Sequence, residues 1–408
     1  MVRRCLADCG EPLPVMKKIL LGLIVLLVTA VVAFFTIVPV VVDGRMNSVV
    51  SPTIPDVSPR ASALHRALFV ADLHADALLW GRDLLERVDR GHVDVPRLQE
   101  GKVALQVFSV VTKTPRDMNY GRNTGETDNI ALLALAQRWP SETRRSLRAR
   151  ATYQAERLQD AVLRAGGAIT LITSRDSLEA FVERRGGDPM QVGALLAIEG
   201  LHALDGELAS VDVLFAHGYR MMGLTHFFDN EVAASAHGVS QGGLTPFGRQ
   251  VVQRMEQLGI IVDLAHASPR TVQEVLAVAT RPVVVSHTGV AAVCPGSRNL
   301  TDAQLRAIAA NGGLIGIGYW DGAVCAPTIE NIVKAIQHAV SVLGVRHVAL
   351  GSDFDGATKT PWDTRGVIVI TDALLKAGMR EDEVARVMGG NTRDFLWRLL
   401  PEAQAHGR

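Results

Sequence analysis

The sequence has few cysteines and no excess of either charge, and each shortage removes a class of function. Four cysteines stand in 408 residues, Cys5, Cys9, Cys294 and Cys325. They form no CxxC pair and no zinc-ribbon spacing, so any metal site must be built from histidine and carboxylate. Lysine plus arginine number 42, equal to aspartate plus glutamate. No polyanionic partner is implied, and nucleic acid is not expected. No Gly-rich phosphate loop follows the first candidate strand, which counts against a dinucleotide site. After residue 63 no second linker divides the chain, so one large domain is the simpler reading.

What is present begins with Ile19 to Val42, 24 positions without a charge. At about 1.5 Å per residue this run can cross a hydrocarbon layer of about 30 Å, and it is longer than the apolar core of a secretory signal. It reads as a membrane span contacting the lipid bilayer. Arg3, Arg4, Lys17 and Lys18 precede it, so the positive-inside tendency places the amino terminus in the cytoplasm and the main domain outside. Cys9 comes before the apolar run, the wrong order for a lipoprotein signal, and no small-x-small cleavage site follows the run. Beyond it, Ser51-Pro52, Ile54-Pro55 and Ser58-Pro59 predict an extended tether. The expected divisions are a cytoplasmic tail at 1–18, a transmembrane helix at 19–42, a linker at 43–63 and the main domain at 64–408.

In that domain apolar runs alternate with amphipathic stretches. Eight candidate strands can be marked: Leu68 to Asp72, Ala104 to Val110, Ala194 to Glu199, Tyr219 to Thr225, Ile260 to Leu264, Val283 to Ser286, Leu314 to Gly318 and His347 to Ser352. Fully apolar strands separated by helices imply a parallel sheet buried on both faces. The pattern predicts an α/β fold, a (β/α)8 barrel, with an open doubly wound sheet as its rival. The longest insertion, Thr114 to Ala165, is charged and helical in pattern.

Such a barrel places its chemistry at the carboxyl ends of the strands. Strand one ends in Asp72-Leu73-His74-Ala75-Asp76, strand three in Glu199, strand four in His226, strand five in His266, strand six in His287 and strand eight in Asp353. His74 and Asp76 are two apart, so an extended backbone turns them to one side. So many carboxylates and imidazoles at one mouth point to a metal centre, because buried polar groups need partners. His65, His92, His202, His217, His338, His347 and His406 show no ligand spacing and read as packing or surface residues. His237 lies in a polar loop after strand four that can line a pocket.

These strings together resemble the membrane dipeptidases, also called renal dipeptidases, a family of zinc metallopeptidases. The match runs from about Ala71 to Leu399 through DLHAD at 72–76, AIEG at 197–200, LTH at 224–226, GLTPFG at 243–248, VDLAH at 262–266, VSH at 285–287, SRNL at 297–300, GSDFDG at 351–356 and GNT at 390–392. The resemblance implies two Zn2+ ions: His74 and Asp76 on one, His266 and His287 on the other, and Glu199 bridging both. It implies that His226 binds substrate and stabilises the oxyanion, that Arg298 faces the substrate's terminal carboxylate, and that Asp353 passes a proton. It also implies that Cys294 and Cys325 stand where exported relatives carry a disulfide; spacing alone leaves their pairing open.

The expected function is hydrolysis of dipeptides by a hydroxide held between two metals, in an enzyme anchored in the cytoplasmic membrane with its barrel outside. Two further readings stand beside it: a binuclear amidohydrolase acting on a lactam or an N-acyl amino acid, and a binding barrel without catalysis. The sequence leaves open the preferred dipeptide, D-residue tolerance, the metals used in the cell and whether the chain forms a homodimer.

Overall fold

The computed structural model describes residues 15–403. Arg3, Arg4, Cys5, Cys9 and His406 lie outside the described residues. All eight anticipated strands are present: β1 (Val70–Ala75), β2 (Val103–Phe108), β3 (Val192–Glu199), β4 (Tyr219–Gly223), β5 (Ile261–Asp263), β6 (Val284–Thr288), β7 (Leu314–Ile317) and β8 (Val348–Leu350). Each pairs in parallel with the next, and β8 pairs with β1 through Leu350 and Asp72. The ring is therefore closed, and helices wrap it, which decides for the barrel over the open sheet. A strand that was not expected, Ile169–Leu171, pairs with the outer end of β3.

The hydrophobic pattern explains closure. On β3, Leu195 and Ala197 alternate with Glu199, so they share its inward face. They belong to a cluster that takes one or more residues from every strand, including Leu73, Leu105, Met221, Ile261, Val284, Leu314 and Ala349, and that packs on Phe395 and Leu396 of the last helix. This plug fills the barrel below the site, and the polar residues lie above it. The other strand face packs on the surrounding helices. In Pro246–Leu258, for example, Val251, Val252 and Met255 are buried, Thr245 caps the start by accepting from Gly248 N, and Gly259 ends the helix at φ 75°.

At the amino end, α1 (Val15–Thr36) buries no residue, and α2 (Val38–Met46) follows with Pro39 in its first turn. Together they make one helical run long and apolar enough to cross a membrane. Residues 43–63, expected as a tether, pack against the barrel. Asp43 is buried and contacts Arg82 Nε at 3.1 Å and Arg90 Nε at 3.0 Å. Ser48–Val49 pairs with Lys359–Thr360. Ser58-Pro59, read as extended, instead starts the helix Pro59–Ala67: Ser58 accepts from Ala61 N, and proline suits the first helical position because that N–H has no partner there.

Candidate metal centre

The strand ends bring the sequence-selected side chains to one mouth. His74, Asp76, Glu199, His226, His266, His287, Arg298 and Asp353 are all buried. Three sets of ligating atoms lie close enough to share an ion: His74, Glu199 and His287; Glu199, His226 and His266; and His74, Asp76 and Asp353. Glu199 Oε2 is 3.8 Å from His74 Nε2, 3.5 Å from His266 Nε2 and 3.7 Å from His287 Nε2. His74 Nε2 is 3.4 Å from Asp76 Oδ2 and 3.9 Å from Asp353 Oδ1. Clustered triads sharing Glu199 are consistent with a binuclear zinc site.

The donor set fits metal ions on its own chemistry. His74 Nε2, Asp76 Oδ1 and Glu199 Oε2 are buried without a hydrogen-bond partner, which is costly unless a further group satisfies them. His266 Nε2 and His287 Nε2 face each other at 3.1 Å, and two imidazole lone pairs converge that closely when a proton or cation lies between them. Burial lowers the pKa of His266 and His287, holding them in the neutral, ligating form. Burial also pushes Glu199 well up, and Asp76 adds like-charge repulsion. Burial alone would depress His74, but Asp76 and Glu199 hold it at about 10. A cation supplies the positive charge these carboxylates otherwise draw from an imidazolium.

The supporting groups are equally local. Ser286 Oγ lies 2.9 Å from His287 Nδ1 and 3.4 Å from His74 Nδ1, orienting both rings. Asp72 does not join the cluster. Its carboxylate accepts from Ser352 Oγ at 3.0 Å, Gln106 Nε2 at 3.2 Å and His74 N at 3.0 Å. The β1–β2 ladder shifts register between Asp72 and Ala75, and that irregularity interrupts the two-residue alternation. His266 and Asp353 both have φ 60°, a left-handed conformation costing on the order of 1–3 kcal/mol for such residues and concentrated at functional sites.

His226 Nε2 is 3.2 Å from Glu199 Oε1, at the edge of the cluster. Arg298 donates from Nη2 to His287 O at 2.7 Å and lies over Trp320 at 5.1 Å, and its buried Nε has no partner. Tyr120, which sequence reasoning did not select, accepts from Trp320 Nε1 at 2.8 Å and lines the same cavity. Nothing in its local sequence marks it, because it sits in the long insertion and Trp320 follows β7. His237 does not line the cavity: it is buried behind the site, stacked on Phe227 at 4.9 Å and edge-on to His266 at 5.3 Å. His65, His92 and His202 are held by hydrogen bonds away from the cluster. Cys294 and Cys325 are joined, with Cα atoms 5.3 Å apart.

Comparison with known proteins agrees in scope. The sequence model described as membrane dipeptidase (peptidase family M19) matches residues 58–406. A dipeptidase of Aspergillus oryzae, aclJ, is 31% identical over 316 residues, covering 75% of this chain and 69% of its own. The dipeptidase verJ of Clonostachys rogersoniana is 33% identical over 225 residues, 53% of this chain and 57% of its own. Among solved structures, a metallo peptidase from Rhodobacter sphaeroides, liganded with a phosphinate mimic of the dipeptide L-Ala-D-Ala, superposes with a TM-score of 0.68 at 23% identity, covering 81% of this chain and 99% of that one. The probable dipeptidase PvdM from Pseudomonas aeruginosa gives 0.70 at 20% identity, covering 84% and 99%. At these identities the superpositions speak for the fold.

Proposed function

Because the chain belongs to the membrane dipeptidase family, peptidase family M19, we propose that it is a metal-dependent dipeptidase, hydrolysing the peptide bond of small dipeptides at this centre. The observation that carries the reading is the convergence of separate strand ends on one carboxylate, Glu199, which two of the candidate ligand triads share. In the proposed assignment His74 and Asp76 would hold one ion and His266 and His287 the other, with Glu199 shared between them. A bound pair of divalent cations supplies an acidified water and a Lewis acid for the scissile carbonyl. The chain's own residues do the rest. His226 lies beside Glu199, where an N–H can reach the developing oxyanion. Asp353 lies next to His74, where its carboxylate can take a proton and return it to the departing amine. The unpartnered Nε of Arg298 is available to the substrate's free carboxylate, fixing its distance from the cluster and so limiting length to two residues.

The finer localisation belongs to the same proposal. Lys17 and Lys18 at the start of α1 favour an amino terminus in the cytoplasm and a catalytic domain, residues 64–408, on the other side. The Cys294–Cys325 bond suits that oxidising compartment. The test is metal analysis of the full chain in detergent combined with a panel of dipeptides, lactams and N-acyl amino acids, with and without chelator. About two ions per chain and chelator-sensitive dipeptide hydrolysis are expected. Hydrolysis confined to the other amides would transfer the assignment to them, and neither metal nor hydrolysis would leave a binding barrel.

A further inference from the structure

The site cavity, about 450 Å³ in volume, is lined by Asp76, Glu199, His226, His266, Arg298 and Asp353, and also by Val38, Val42 and Met46 from α2. We propose that α2, the helix continuing from the membrane span, is the outer wall of the substrate site and selects dipeptides whose amino-terminal residue carries a large apolar side chain. This rests on the dipeptidase reading above. It goes beyond it, because Val38, Val42 and Met46 precede the segment that the family model matches, residues 58–406.

Three observations support it. First, α2 is fixed to the catalytic loop. Besides its contacts with Arg82 and Arg90, Asp43 accepts from Asn47 Nδ2 at 2.9 Å, and Asn47 Oδ1 accepts from Ala357 N at 3.0 Å. Arg82 Nη2 in turn lies 2.8 Å from Asp355 Oδ1. Asp355 and Ala357 belong to the loop that carries Asp353, so the wall and that loop keep a fixed relation. Second, the wall is apolar and incompletely covered. Val42 packs on a small cluster containing Leu79, Trp80, Val111 and Ile130, separate from the main core, while Val38 and Met46 remain 37% and 44% exposed. α1, with 22 residues, is long enough by itself to cross the bilayer, and α2 turns this face into the cavity, where an apolar ligand group would cover it.

Third, the wall lies on a definite side. It adjoins Leu79, Trp80 and Ala357, neighbours in sequence of Asp76 and Asp353. Arg298 belongs to a different part of the lining, against His287 and Trp320. A dipeptide with its carboxylate on Arg298 and its peptide bond over Glu199 directs its amino-terminal residue towards α2. A hydrophobic pocket discriminates about 10- to 200-fold per methylene, so three added carbons leave ample range for selection.

The experiment uses the full chain in detergent with zinc and reads kcat/KM for Leu-Gly, Ala-Gly and Lys-Gly. Two variants are compared with the wild type: Val38→Ser with Val42→Ser, and Val42→Asp. The double variant is expected to lower the Leu-Gly to Ala-Gly ratio about tenfold, and Val42→Asp to raise the Lys-Gly to Leu-Gly ratio at least about fivefold. The second change is a gain, which misfolding cannot produce. If Val42→Asp does not fold, the ratio in the double variant decides alone. Ratios unmoved within about twofold in variants that still cleave dipeptides would overturn the proposal. A wild type that cleaves none of the three would instead count against the dipeptidase reading itself.

Discussion

Replacing Arg298 by alanine is the most direct challenge to dipeptide recognition. The guanidinium is 5% exposed, has one hydrogen bond to the backbone and keeps Nε free of partners. Burial lowers its pKa, while Asp353, Tyr120 and Glu199 act in the opposite direction, and an arginine stays charged throughout. A buried hydrogen bond to a charged group contributes about 1.5–3 kcal/mol, and a two-pronged one reaches the upper end. Loss of about 3 kcal/mol lowers kcat/KM about 150-fold for a dipeptide with a free carboxylate. For the same dipeptide as its carboxy-terminal amide the loss is expected to stay under about tenfold, because no carboxylate is there to be held. Arg298→Lys keeps the charge but not the planar fork, and should fall between them. Steady-state kinetics on acid and amide, for wild type and both variants, gives the needed ratios. Equal losses on acid and amide would refute the reasoning and return Arg298 to a purely structural role beneath His287.

Four further outcomes follow from the structure. Glu199→Gln should lower bound metal to about one ion per chain or fewer and depress activity by at least about a thousandfold, as elemental analysis and kinetics would show; two ions with normal turnover would remove the bridging role. Asp43→Ala leaves Arg82 with Asp355 alone and removes the carboxylate from Arg90, and should reduce stability by about 1.5–3 kcal/mol, measured by chemical denaturation in detergent, where a loss under about 1 kcal/mol would mean that α2 is not clamped. Serine at both Cys294 and Cys325, 31 apart in sequence, should cost about 3.5 kcal/mol on chain-entropy grounds, seen as a lowered melting temperature under non-reducing conditions only. His202 is buried, and burial, with Lys113 and Arg150, lowers its pKa to about 3. The unfolded chain binds its proton below about pH 6.5 and the folded chain does not, so this residue removes about 1.4 kcal/mol per pH unit as pH falls from 6.5 towards 3. His202→Gln should flatten that acid limb, and parallel limbs would show that His202 protonates freely in the fold.

The elements that could be read from the chain are those whose signal is local. Each barrel strand is buried on both faces, so even β5 and β8, three residues each, stand out as apolar runs. Ile169–Leu171 has only Ile169 buried and carries no such run. The candidate ligands follow the same logic, since His266 and His287 end their runs, whereas Ser286 is recognisable as an orienting group only once His74 arrives beside it from β1. What escaped depends on partners distant in sequence. The prolines between 52 and 59 do argue locally for extended backbone, but Asp43 finds Arg82 and Arg90, and Ser58 finds Asp372, 314 positions away. Those pairings turn an expected tether into a docked segment. The consequence is mechanical as well as structural: an apolar helix joined to the barrel by buried ion pairs cannot reorient freely against it. The position of the site's mouth relative to the apolar helix is therefore set by the same contacts that place Val38, Val42 and Met46 in the cavity wall.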